Sequence, residues 1–162
     1  MVVRDVVDGH HAVLLGGIGD LQTAADELAT AVAEGEKSLG PGHPHLAGLL
    51  DNLAAVRLAA GDARGAEQAS RACFEVRQQL HPKGHFLRAR SAARIGLALQ
   101  AQGLESQALP WLELGEVGYA LQLEVGDPRR AEFERALASC REALGSGEPR
   151  PSSASEGHAS DG

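Results

Sequence analysis

The chain has 162 residues, a formal net charge of −7 at pH 7 and only five aromatic residues. Alanine, leucine and glycine together supply 70 positions, with counts of 28, 22 and 20. The length suits roughly one domain with its own core, and the scarcity of aromatic residues disfavours a β-sandwich or barrel. The acidic balance argues against a general nucleic-acid binder, which needs a net basic face.

Membrane and secretory signals are not visible in the sequence. No apolar run approaches the roughly 20 residues that a membrane-spanning helix needs, and residues 1–8 carry two acids and one arginine, unlike a secretory signal. Cys73 and Cys140 form no CxxC pair, and two isolated thiols are typical of packed, reduced residues. A disulfide between them is the alternative by count alone. We therefore expect a cytoplasmic protein without a membrane partner.

A 42-residue period organises the chain, because Gly19, Gly61, Gly103 and Gly145 follow one another at that step. Further columns at the same step contain mainly small residues: Ala24/Ala66/Ala108, Ala12/Ala54/Gly96/Ala138 and Ala31/Cys73/Gly115. Each unit is predicted to be a pair of helices, with the small residues where the two helices of a pair cross.

The predicted first helices of the units cover residues 3–18, 44–60, 86–102 and 128–144. The second helices begin at Asp20, Asp62 or Leu104. Proline suits the first helical position, glycine suits the C-terminal cap, and Asp20 and Asp62 suit the N-cap. The units are then about 1–42, 43–84 and 85–127. The final helix, 128–144, caps the stack, and its outer face is expected to carry Glu132, Arg135, Arg141 and Glu142.

The repeat domain is therefore expected to span residues 1–145. The remaining segment, 146–162, consists mainly of Ser, Gly, Pro and Glu and contains no Leu, Ile, Val or aromatic residue. Such a segment lacks the apolar surface needed for folding, so a disordered tail is predicted.

The second unit resembles a tetratricopeptide repeat of the 42-residue, kinesin-light-chain-like type. The resemblance is carried by Leu39-Gly-Pro-Gly-His-Pro44, Asn52-Leu-Ala54, Gly61 and Ala66-Glu67. It implies an all-α chain, a right-handed TPR-like α-solenoid of about seven helices, in which the first helix of each pair lines a concave groove. The first and third units depart from the pattern at the Asn-Leu-Ala triplet.

Residues 49–144 also resemble, more weakly, the C-terminal helical domain of SET-and-MYND lysine methyltransferases. The loop Leu80-His-Pro-Lys-Gly-His85 is similar to the loop that joins helix pairs there. The catalytic segments have no counterpart, and two cysteines are too few for a MYND zinc finger. This resemblance implies an accessory domain alone.

The glycine-rich stretch around Gly17 and Gly19 partly matches a dinucleotide-binding loop. Gly17 and Gly19 fit its first two glycines, but Gln22 stands at the third position, where close helix–strand packing needs glycine. Helix capping is therefore the favoured role for Gly19. No GxSxG elbow, P-loop or HExxH motif occurs. We predict no catalytic residue and no cofactor.

The histidines do not have the spacing of a metal site. His81 and His85 flank a proline and a glycine, so no helix places them on one face. His43, His85 and Asp127 occupy equivalent loop positions at the 42-residue step. A shared turn-capping role explains them, and no metal site is predicted.

The predicted concave groove is the expected site of peptide binding. The columns expected to face it are Val6/Gly48/Arg90/Glu132, Gly9/Asp51/Ala93/Arg135, His10/Asn52/Arg94/Ala136 and Val13/Ala55/Leu97/Ser139. From these we select His10, Asn52, Arg90, Arg94 and Arg135 as the peptide-binding residues. The resemblance implies that the Asn52 amide pairs with a peptide backbone. It also implies that Arg90 and Arg94, one turn apart, can pair with a carboxylate.

The sequence thus predicts a non-catalytic protein–protein interaction adaptor that binds an acidic peptide segment. The alternatives are a separated accessory domain of a SET-and-MYND methyltransferase and a fragment of a larger TPR-containing regulator. For Arg90 and Arg94 alone, the alternative is a pair of solvated surface charges that repel each other weakly. The oligomeric state is left open.

Overall fold

A computed structural model describes residues 18–122 and 124–145. This part of the chain contains no strand, which confirms the prediction of an all-α protein for the described residues. The helices are α1 (Ile18–Leu39), α2 (Pro44–Ala59), α3 (Ala63–Leu80), α4 (Phe86–Ala101), α5 (Glu105–Gln122) and α6 (Pro128–Gly145). None of them combines the length and apolar character that crossing a lipid bilayer requires.

Each helix packs against the next helix in the chain, and α4 also contacts both α2 and α6. Two groups of buried side chains form the core. The first joins α1, α2 and α3 through residues such as Leu28, Leu50 and Val76. The second joins α3 to α6 and includes Ile95 and Phe133. The interior is therefore a series of contacts between sequential helices, with α4 near its middle.

The predicted helix bounds agree closely with the structure for α2, α4 and α6. Asp62 is the N-cap of α3, as predicted, and its carboxylate accepts a hydrogen bond from the Gly65 N–H at 2.9 Å. The predicted C-cap role of Gly19 and N-cap role of Asp20 are wrong, because both residues lie within the described helix α1, Asp20 in its first turn. An acid is favourable there because the N-terminus of a helix carries partial positive charge. The predicted helix over 3–18 lies, apart from Ile18, outside the described residues, as does the predicted tail.

Three equivalent loop residues cap the N-termini of α2, α4 and α6, as the 42-residue step predicts. In each case a side chain accepts a hydrogen bond from the backbone N–H two residues ahead, which satisfies one of the unpaired donors of the first turn. The pairs are His43 Nδ1 with His45 N at 3.1 Å, His85 Nδ1 with Leu87 N at 3.2 Å, and Asp127 Oδ1 with Arg129 N at 2.9 Å.

Turn glycines recur at the same step. Gly61 and Gly103, between the helices of a predicted pair, have φ of +83° and +73°. Gly84 and Gly126, between predicted pairs, have φ of +84° and +103°. This left-handed region suits glycine because it has no Cβ.

The backbones of α4 and α5 approach each other closely at small residues. A Cβ added at Gly115 would lie 2.6 Å from the Ala93 Cβ and 3.0 Å from the Ala93 backbone nitrogen. A Cβ added at Gly96 would lie 2.6 Å from the Leu112 Cγ. The prediction that these small residues mark a helix crossing is confirmed here. Ala138, a later member of the Gly96 column, is exposed on α6.

We predict that Gly115→Ala destabilises the protein by roughly 1–3 kcal/mol, because α4 and α5 must separate to accept the methyl group. Gly48→Ala is the matched control, since Gly48 is an exposed glycine within α2 with nothing within 4 Å of an added Cβ. That change should stabilise the helix by roughly 0.5–1 kcal/mol. Urea unfolding followed by circular dichroism measures both values. Equal stabilisation by the two substitutions would contradict the close crossing.

Candidate functional site

A buried carboxylate on α2 binds arginines from two other helices. Asp51 is only 3% exposed. Its Oδ2 lies 3.1 Å from Arg77 Nη2 on α3 and 2.8 Å from Arg90 Nη2 on α4. Its Oδ1 lies 3.0 Å from Arg94 Nε, also on α4. We call these four residues the Asp51 cluster.

Helix geometry explains how two of these arginines meet one carboxylate. Arg90 and Arg94 are four residues apart, so they lie on the same face of α4 one turn apart. Arg77 lies in the last turn of α3, the helix that precedes α4 in the chain and packs against it. The carboxylate of Asp51 therefore links α2, α3 and α4.

Further hydrogen bonds fix the guanidinium of Arg77. Its Nη1 donates to the backbone oxygen of Leu87 at 3.1 Å and to the Ser91 Oγ at 2.9 Å. Both acceptors belong to α4, and Ser91 is itself buried. Buried donors without acceptors are costly, so these contacts stabilise an arginine that is nearly excluded from water.

Opposing effects determine the pKa of Asp51. Burial raises the pKa, because it penalises the charged form. The positive charges of Arg94, Arg90 and Arg77 and the hydrogen bond from Arg77 lower the pKa, and together they prevail. The pKa falls from its ordinary value of 3.8 to about 2. Asp51 is therefore ionised throughout the neutral range.

A buried thiol lies beside the cluster. Cys73 Sγ donates to the backbone oxygen of Ala47 at 3.2 Å and lies 3.4 Å from Ser91 Oγ. Burial raises the pKa of the Cys73 thiol, which keeps it protonated and unsuited to nucleophilic attack. Cys73 and Cys140 are both free and buried, in agreement with the prediction of packed, unpaired thiols.

Asn52 follows Asp51 on α2 and is half-buried. Within the described part of the chain its amide makes no hydrogen bond. Arg94 is its equivalent 42 residues later, on a helix that contacts α2. A donor–acceptor amide with open hydrogen-bonding capacity therefore lies on the helix that also supplies Asp51.

The structure brings three of the five predicted site residues to one region. Arg90 and Arg94 meet at Asp51, and Asn52 is adjacent to Asp51 in the chain. Arg135 lies apart, exposed on α6, where its Nε donates to the Ala131 backbone oxygen at 3.1 Å. His10 lies outside the described residues.

The alternative of two solvated, mutually repelling arginines is wrong. The side chains of Arg90 and Arg94 are 21% and 16% exposed, and both are paired with the same carboxylate. The column that contains Asp51 and Ala93 does not face an open groove at those positions, since both residues are buried. Ala93 packs against Gly115, which places it between two helices.

Sequence reasoning missed Arg77 altogether, and it missed Asp51 as the partner of Arg90 and Arg94. A usable signal was the position of Asp51 among Leu50, Leu53 and Ala54. An acid within such an apolar stretch needs a partner when the helix is buried. The identity of that partner depends on the packing of α3 and α4.

A second group of arginines contacts aromatic rings. Phe74 and Trp111 meet edge to face with ring centroids 5.2 Å apart. Arg71 lies over Trp111 at 5.3 Å, and Arg88 lies over Phe74 at 5.4 Å. These cation–π contacts stabilise the packing of α3, α4 and α5.

The histidine loop shows a stacked pair. The rings of His81 and His85 are 4.0 Å apart and nearly parallel, at 8°. Partial burial, His85 and Arg77 lower the pKa of His81, which favours its neutral form. Among the described residues, no group of three or more His, Cys, Asp or Glu side chains has the arrangement of a metal site.

A scan against protein-family models and a search of curated proteins both gave no match to the chain.

The low pKa of Asp51 predicts an acid-sensitive contribution to stability. Because the folded-state pKa is depressed to about 2, the contribution is complete above the unfolded-state value and is lost as the pH falls from about 5 towards 2. Its size is about 2 kcal/mol. Carbon-13 NMR of the Asp51 carboxyl group measures the pKa directly, and urea unfolding across this range measures the stability. A carboxyl group that titrates at pH 4 or above would contradict the assignment.

Proposed function

We propose that the chain is a non-catalytic, cytoplasmic adaptor module that binds an acidic peptide segment at the surface formed by Asn52, Arg90 and Arg94. The observation that carries the proposal is the partly accessible pair Arg90 and Arg94 at Asp51, beside which, on α2, stands the half-buried Asn52, whose amide has no hydrogen bond within the described residues. We call this surface the α2–α4 surface.

The proposal includes the fold family, a right-handed TPR-like α-solenoid of 42-residue units. It is supported by the periodic N-caps at His43, His85 and Asp127 and by the turn glycines at the same step. Sequential helix packing also supports it. In such solenoids the first helix of each pair lines the concave surface, which corresponds to α2, α4 and α6.

The side-chain chemistry suits an extended acidic peptide. An extended backbone presents both N–H and C=O groups, and the Asn52 amide offers one acceptor and two donor hydrogens. Guanidinium groups pair with carboxylates through parallel hydrogen bonds. Arg90 is the more accessible arginine of the cluster, so an incoming carboxylate meets it first.

Electrostatics favours the same class of ligand. The chain as a whole is acidic, so a long-range attraction for acidic partners must come from a local concentration of positive charge. Arg77, Arg90 and Arg94 supply that concentration around a single carboxylate within the described residues. Opposite local potentials increase association rates and select partners.

Selection of peptides from a random twelve-residue phage-display library on the immobilised protein tests the proposal. We expect acidic residues to be enriched, and the affinity of a selected, labelled peptide to weaken as salt rises. Asn52→Ala should weaken binding about 5- to 10-fold through the loss of about one hydrogen bond, with little change in stability. Arg90→Gln should weaken it at least as much.

Gln68→Ala is the matched control, because Gln68 is an exposed amide on α3 away from the α2–α4 surface. Fluorescence anisotropy should give the same affinity for this variant as for the wild type. The proposal fails if acidic residues are not enriched, or if the selected peptides bind Asn52→Ala and Arg90→Gln as tightly as the wild type.

A further inference from the structure

We infer that the arginines of the Asp51 cluster form an oxyanion-binding site that Asp51 itself occupies as an internal ligand. An acidic group of a partner then competes with Asp51 for the same guanidinium groups. The identity of the partner rests on the proposed function, whereas the existence of the oxyanion site rests on the cluster alone.

The arrangement around Asp51 is that of a bound anion. Both carboxylate oxygens accept from guanidinium groups, at distances between 2.8 and 3.1 Å. None of the three donors comes from the helix that carries Asp51. The carboxylate of Asp51 thus extends from α2 into a site that residues of α3 and α4 form.

The most buried part of that site has supports that do not involve Asp51. Arg77 is held by Leu87 and Ser91 through its other terminal nitrogen. Ser91 in turn donates to the Leu87 backbone oxygen at 3.1 Å. These hydrogen bonds hold the Arg77 guanidinium independently of Asp51 as long as α3 and α4 stay packed, so the site is preorganised for another oxyanion.

Access to the site is one-sided. The side chains of Asp51 and Arg77 are 4% and 6% exposed, whereas that of Arg90 is 21% exposed. An external oxyanion therefore approaches from the side of Arg90. Because Asp51 stays ionised at neutral pH, protonation does not vacate the site, and the external group must compete with a charged carboxylate.

Removal of the internal carboxylate should therefore open the site to small oxyanions. We would measure thermal unfolding of wild type and Asp51→Asn at pH 7 in sodium phosphate, sodium acetate and sodium chloride at equal ionic strength. Phosphate should raise the melting temperature of Asp51→Asn saturably, by roughly 3–6 °C more than chloride does. The wild type should show no such difference. The melting temperature in sodium acetate shows whether a carboxylate stabilises Asp51→Asn as phosphate does.

Asp127→Asn is the control. Asp127 is also paired with an arginine, Arg129, at 2.8 Å, and that pairing lowers its pKa to about 2. It lies in a loop, where the Arg129 guanidinium pairs with it, while Arg130 contacts it through the backbone and pairs its own guanidinium with Glu134. Removal of Asp127 therefore leaves no group of three guanidiniums around one vacated position within the described residues. Phosphate should not stabilise this variant beyond its effect on the wild type.

Asp51→Asn leaves buried arginines without their carboxylate and can unfold for that reason. Regain of helical circular dichroism on addition of phosphate then supports the inference. The double variant Asp51→Asn/Arg77→Met removes the most buried charge as well and keeps Arg90 and Arg94, so calorimetric phosphate binding to it gives a second measurement.

The inference is overturned if neither variant responds to phosphate more than the wild type does. It is also overturned if phosphate and chloride have equal effects at equal ionic strength. These outcomes are independent of peptide binding, since no peptide is present. When the peptide selection succeeds, Asp51→Asn should bind the selected acidic peptide at least about tenfold more tightly than the wild type, a difference of about 1.4 kcal/mol.

Discussion

Asp51 is the one buried acidic residue in the part of the chain that the structure describes. The arrangement of α2, α3 and α4 is linked to how its charge is balanced. Transfer of an isolated carboxylate from water into a protein interior costs several kcal/mol. Asp51 avoids that cost only when Arg77, Arg90 and Arg94 surround it. Any relative shift of α2, α3 and α4 that separates these groups leaves charges buried and unpaired. The cluster therefore favours one packing of the three helices. Buried polar groups are better known for such specificity than for a net gain in stability.

Helix α4 connects this cluster to the rest of the core. One face carries Arg90 and Arg94, while small residues such as Ala93 and Gly96 on the other face allow the backbone of α5 to approach closely. Tight packing leaves little room for α4 to rotate or slide, so the guanidinium groups are held where they are. The close packing of α4 against α5 thus also preorganises Arg90 and Arg94. In this way the small residues of the helix crossing support the proposed recognition of an acidic segment.

The sequence predicts those features of the fold that depend on neighbouring residues, and it does not predict the contacts between distant helices. The bounds of α2, α4 and α6 follow from prolines and glycines, which act within a few residues. The 42-residue step then assigns the same capping role to His43, His85 and Asp127. The start of α1 could not be predicted from the glycine column. The Asp51 cluster could not be predicted either, because Asp51 and Arg77 are 26 residues apart and an acid on a helix has the same local pattern whether it meets water or a guanidinium.

A double-mutant cycle on Asp51 and Arg77 tests whether these buried charges act as a unit. Urea unfolding of the wild type, Asp51→Asn, Arg77→Met and the double variant gives the coupling energy. Asp51→Asn leaves Arg77 buried without its carboxylate, and Arg77→Met removes one of the three arginines that balance Asp51. The double variant should therefore lose less stability than the sum of the two single losses, with a coupling of about 1–3 kcal/mol. Losses that add to within roughly 0.5 kcal/mol would show that the two side chains act independently and that Asp51 does not depend on Arg77 for its burial.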